Sequence, residues 1–163
     1  MAIIKSDLQE VICDSYLGLS SEIVRNNKSN EGALRTAVNR AYYSVFLTAR
    51  DRLFGPDGTG LTKTIKKRIA KIFKQQHTWN PQSHEQIIFA ISELSTTGTI
   101  YPLALSQQIG ELQEARVHAD YHFTAETLKD IPYGTWSEYA DRMVALASQL
   151  LPAAKLLPPY KQP

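Results

Sequence analysis

Apolar residues recur at three- and four-residue intervals through most of the chain, and no segment sustains the two-residue alternation of a half-buried strand. Leu8, Val11, Ile12, Leu19 and Ile23 fall at helical spacing, with a Ser6/Gln9 capping-box pattern ahead of them. The run from Glu31 to Phe54 carries the broadest stripe: Leu34, Val38, Ala41, Tyr42, Val45, Phe46, Ala49 and Leu53. Ala33, Ala37, Ala41, Val45 and Ala49 repeat every fourth residue, a ridge of small side chains that lets another helix approach closely. This segment is expected to be the central helix, with Tyr42, Tyr43 and Phe46 serving its packing.

Gly55-Pro56-Asp57-Gly58-Thr59-Gly60 reads as a turn or mobile loop and lacks the Gly-Lys-Ser/Thr ending of a phosphate-binding P-loop. A short basic helix is expected from about Thr62 to Lys74, and another from Ser83 through Ile87, Ile88, Ile91 and Leu94 until Thr96-Thr97-Gly98-Thr99 breaks it. Ser106 is expected to cap the next helix, which carries Ile109, Leu112 and Ala115. Thr135 and Glu138 form a capping box before Trp136, Tyr139, Ala140, Met143, Val144, Ala147, Leu150 and Leu151, a stripe that Pro152 should end. The pattern predicts an all-α fold, an antiparallel helical bundle of about four to five main helices with short accessory helices. Residues 1–152 form its single domain, and 153–163 a Pro-rich tail leaving as an extended arm.

A chain of 163 residues is long enough for one domain with its own core. The net charge of +2 is too small to imply a nucleic-acid partner, so that case rests on local clustering. The single cysteine, Cys13, excludes an intramolecular disulfide, fits a reducing compartment and reads as a small half-buried side chain. With no apolar leader core before Ser6 and no apolar run long enough for a bilayer, a cytoplasmic protein without a membrane partner is expected.

The densest chemistry lies in Ala115-Arg116-Val117-His118-Ala119-Asp120-Tyr121-His122. Arg116 and His122 make an Arg-x5-His pair: a guanidinium fork can grip a phosphate, and a neutral imidazole can take a proton from a hydroxyl. The plainer reading is that Arg116 pairs with Glu114 or Asp120 and that His122 is a surface residue near a helix end. Asp120 could instead orient an imidazole, Tyr121 could stack on a base, and Ala119 would let backbone be approached closely. His118 and His122 have zinc-ligand spacing, but no Glu follows His118 and no cysteine is near. A third ligand would have to be His77, His84 or a carboxylate, so the metal-free reading, with no metal and no cofactor, is preferred. Lys63, Lys66, Lys67, Arg68, Lys71 and Lys74 form a basic stretch that is either a solvated helix face, a phosphate-attracting surface or a dock for an acidic protein. Arg40, one turn before Tyr43, could reinforce an anion site or pair with an acid.

Two segments together resemble the HEPN superfamily, small helical domains of prokaryotic toxins and nucleotidyltransferase partners. Ala37-Val38-Asn39-Arg40-Ala41-Tyr42-Tyr43-Ser44-Val45-Phe46-Leu47-Thr48-Ala49-Arg50 looks like its second helix, and the Arg116 segment looks like its later Arg/His motif. The resemblance implies an antiparallel bundle that dimerises and brings two motifs into one cleft, as in metal-independent endoribonucleases of toxin–antitoxin or phage-defence systems. His122 would then exchange a proton with the RNA 2′-hydroxyl or the leaving 5′-oxygen, with His118 as a rival. Arg116 would hold the scissile phosphate and Asp120 would support the histidine, while Tyr121, Arg40, Lys66, Lys67 and Lys71 would contact RNA. The alternative the resemblance allows is a non-catalytic binding or scaffold module that pairs with a nucleotidyltransferase or another defence protein.

Overall fold

The computed structural model describes residues 5–54, 67, 71, 84–96, 103–121 and 134–157. Those residues hold five helices: α1 (Lys5–Asn26), α2 (Glu31–Phe54), α3 (His84–Thr96), α4 (Leu103–Tyr121) and α5 (Trp136–Lys155), and no strand is found among them. None of these helices is long and apolar enough to cross a membrane. The expected turn at 55–60 and the basic helix lie outside the described residues, apart from the exposed, helical Lys67 and Lys71.

Helix α2 is the hub, packed against α1, α4 and α5. Its direction relative to each neighbour follows from end-to-end contacts. Trp136 at the start of α5 lies under Arg35 near the start of α2, and Arg52 near the end of α2 donates to the Leu157 carbonyl just past α5. These two helices are therefore parallel. Arg35 also donates to the carbonyl of Ala119, near the end of α4, so α4 runs antiparallel to α2. The short link from Asn27 to Asn30 turns α1 back against α2, and Asn30 caps α2 by accepting from the Ala33 amide at 3.1 Å.

The α2 ridge behaves as its spacing predicts: Ala37, Ala41, Val45 and Ala49 are wholly buried. The face that α1 offers differs from the expected stripe. Val11 and Leu19 are exposed, while Cys13, Ser20 and Val24 are buried. Cys13 is thus fully rather than half buried, and burial raises its thiol above the ordinary range. Among the described residues, each buried serine or threonine hydroxyl of α1 and α2 is satisfied within its own helix. Ser20 donates to Tyr16 O at 2.8 Å, Ser44 to Ala41 O at 2.7 Å and Thr48 to Ser44 O at 2.8 Å.

Two helix boundaries also depart from expectation. Ser106 is buried inside α4, not at its start, because the helix already begins at Leu103 and Leu105 belongs to the core. Pro152 does not end α5: the helix continues to Lys155, since burial of Ala154 and Leu157 outweighs the amide that proline lacks. Residues 153–157, assigned to the tail from the sequence, thus belong to the folded domain, and 158–163 lie outside the described residues. At the other end of α5 the predicted cap is present. Thr135 has extended backbone, accepts from the Glu138 amide at 3.2 Å and donates its hydroxyl to the Glu138 carboxylate at 3.1 Å.

Candidate functional site

The last turns of α4 cross the first half of α2, and the Arg116 motif is built into that crossing. Ala115 and Ala119, one turn apart, are buried against α2, which fixes the direction of the residues between them. Arg116 and Asp120 share a face, with Arg116 Nε 2.9 Å from Asp120 Oδ2. The contact is a close charge pair rather than an aligned hydrogen bond. The other oxygen of Asp120 accepts from Asn39 Nδ2 on α2 at 2.7 Å. Both carboxylate oxygens are thus occupied, one within α4 and one across to α2. Of the two pairings open to Arg116, the structure contains the one with Asp120.

Burial weighs against the Arg116 cation, but the nearby Tyr43, Asp120 and Tyr121 more than offset it and raise the guanidinium above its ordinary range. Its carbon lies 5.8 Å from the Tyr43 ring centroid and 5.6 Å from that of Tyr121. Tyr121 is otherwise exposed. The small residue at 119 does admit close approach, although to a protein group: its carbonyl accepts from Arg35 Nη1 at 3.1 Å. Arg35 in turn pairs with Glu31 and lies 4.4 Å over the Trp136 ring.

His118 is half-buried in the last turn of α4. Two positions after Arg116, it is rotated by about 200° around the same helix, so the two side chains do not face one site from this element. His122 and Lys66 lie outside the described residues. Lys67 and Lys71 are exposed. His84, a third-ligand candidate in the zinc reading, is committed to α2. It shares a hydrogen bond through Nδ1 with the Tyr42 hydroxyl and stacks on Phe46 with centroids 4.4 Å apart. Burial, then the charges of Arg116 and Arg50, lower the His84 imidazole below its usual range, while burial pushes the Tyr42 phenol up. Both groups are therefore held neutral, and the proton between them is set by the His84 tautomer. No group of three or more metal-ligating side chains occurs among the described residues.

Beside the motif, the outer face of α2 forms the floor of a concavity of about 750 Å³. Gly32, Arg35, Thr36, Asn39, Arg40, Tyr43 and Leu47 line it from α2, Tyr16 from α1, and Ala119 and Asp120 from α4. Arg40, singled out from the sequence as an auxiliary cation, lies here 5.6 Å over the Tyr16 ring, and no carboxylate pairs with it among the described residues. Arg35, Asn39 and Tyr16 were not legible as site residues, because their roles come from contacts with distant segments. The one available signal was the polar spacing 32, 35/36, 39/40, 43 along an otherwise apolar helix. Comparison with protein-family models, curated proteins and solved structures returns no match.

Proposed function

We propose that this chain is a HEPN-type helical domain acting as a binding or scaffold module, pairing with a nucleotidyltransferase-type or other defence protein, and not as a nuclease in its own right. One observation carries the reading: Asp120 uses one oxygen on Arg116 and the other on Asn39, so the carboxylate of the most chemically loaded motif ties α4 to α2. A catalytic arginine must present its fork to a phosphate, and a catalytic carboxylate must orient a base. Here the arginine's Nε lies against the carboxylate, and the carboxylate is shared with Asn39.

A second reading, the metal-independent endoribonuclease acting as a homodimer on RNA, draws support from the partial exposure of Arg116 and from the exposed Tyr121 ring beside it. One experiment separates the two. Purified full-length protein is incubated with mixed cellular RNA in excess EDTA, beside Arg116→Ala and His122→Ala, and thermal melts of all three are recorded. The binding reading expects intact RNA throughout and a lowered Tm for Arg116→Ala. Cleavage by the parent that leaves 2′,3′-cyclic phosphate ends, abolished in both folded variants, overturns it in favour of the nuclease.

A further inference from the structure

The concavity on the outer face of α2 contains an imbalance that the helix packing does not explain. Of the charged groups in its wall, Arg35 is answered by Glu31, and Asp120 by Arg116. Arg40 is left over. It is half-buried, its guanidinium is held over the Tyr16 ring, and no acid meets it among the described residues. Among the described residues the hydroxyls of Tyr16 and Tyr43 in the same wall meet no hydrogen-bond partner, and Asn39 gives one of its two amide hydrogens to Asp120. Leu47, Gly32 and Ala119 supply apolar surface between these donors.

We infer that this groove is a binding site for a small phosphate monoester with a flat apolar body, its phosphate on Arg40 and its ring against Tyr16 or Tyr43. The size of the concavity is within the range of small-ligand sites, about 300–1,000 Å³. Among the described residues the wall offers one unpaired cation with amide and hydroxyl donors around it and no free carboxylate, which favours an anion. One surplus cation with phenol and amide donors around it matches a single phosphate group, not a polyanion. Placing the guanidinium on an aromatic face keeps its fork ordered while its edge stays available, so less freedom is lost when an oxyanion docks. The groove adjoins the Arg116–Asp120 pair through Asp120 in its wall, but its unpaired cation is Arg40, so the inference holds whether or not the chain cuts RNA.

The test is isothermal titration calorimetry on the full chain with phenyl phosphate, inorganic phosphate and benzoate, in the parent, Arg40→Gln, Arg40→Lys and Tyr16→Phe. Phenyl phosphate should bind one to one. Loss of the charged hydrogen bonds in Arg40→Gln should weaken it at least about tenfold. Tyr16→Phe, which keeps the ring, should weaken it a few-fold, and inorganic phosphate should bind more weakly than phenyl phosphate because it lacks the ring. Unchanged affinity in a folded Arg40→Gln overturns the site, as does the absence of heat with phenyl phosphate at millimolar concentration. Equal binding of benzoate overturns the phosphate assignment. Should Arg40→Gln fail to fold, Arg40→Lys decides: it keeps the charge and the stem, so a several-fold loss supports the fork and none refutes it.

Discussion

Replacing Asp120 with alanine removes the centre of the α2–α4 junction, and its cost can be built from the contacts it makes. The Asn39 amide donates to a carboxylate across the helix crossing at 2.7 Å, and such charge-assisted bonds contribute about 1.5–3 kcal/mol. The lower end applies, because the Asp120 side chain keeps 28% of its exposure and water can replace part of the bond. The pair with Arg116, whose side chain is 21% exposed, adds about 0.5–1 kcal/mol, in line with i,i+4 pairs that are partly screened. Together these give a loss of about 2 kcal/mol, or roughly 4–8 °C in Tm for a domain of this size. Asp120→Asn, which keeps an acceptor for Asn39 but not the charge, should lose about half as much. Urea unfolding of Asn39→Ala, Asp120→Ala and the double variant measures the coupling directly, expected at about 1 kcal/mol. If Asp120→Ala unfolds within about 0.5 kcal/mol of the parent, the motif is not a structural junction and the proposed non-catalytic role loses its basis.

Two other parts of the fold make independent predictions. The His84 imidazole is held neutral between Tyr42 and Phe46 and is lowered from its ordinary 6.5 by burial and by Arg116 and Arg50. Below about pH 6.5 the unfolded chain takes up a proton that the folded one resists, so this contribution to stability is present above that pH and is lost as pH falls. Urea midpoints measured between pH 7.5 and 5.5 should fall more steeply for the parent than for His84→Gln, and parallel slopes would contradict the buried, neutral state. Pro152 lies exposed inside α5 and leaves the Ser148 carbonyl without the amide a helix normally supplies. Pro152→Ala should therefore stabilise by about 1–2 kcal/mol, the helix gain being partly offset by a freer unfolded chain. A neutral result in a thermal melt would mean that the helix ends at the proline.

How far the sequence reached depended on the distance between interacting residues. The bounds of α2, its alanine ridge and the Thr135 cap were legible because each rests on neighbours within four positions. The packed face of α1 escapes an apolar pattern because the buried Cys13 and Ser20 carry little weight in it, while Val11 and Leu19 carry much and face outward. The start of α4 falls earlier than a Ser106 cap predicts, because Ser106 is buried within the helix and the proline at 102 is the better sign of a helix beginning. The partners that give the motif its role were out of reach: Asn39 and Arg35 lie 81 and 84 positions from the residues they bind.

Within the motif itself, one local signal outranked the more suggestive one. In a continuing helix, Arg116 and Asp120 at i,i+4 lie on one face, whereas an i+6 histidine is turned by about 240° from the arginine. An Arg-x5-His pair can meet in one site of one chain only if the helix is broken between its members. Here α4 runs unbroken through Tyr121, so five of the six steps from Arg116 to His122 are helical. Among the described residues, the spacing that neutralises the arginine, Arg116 to Asp120, is thus the one the helix favours. A proline or glycine between positions 117 and 120 would have reversed that preference. The chain has Val117, His118, Ala119 and Asp120 there, a segment with no breaker, and its chemistry follows from that continuity.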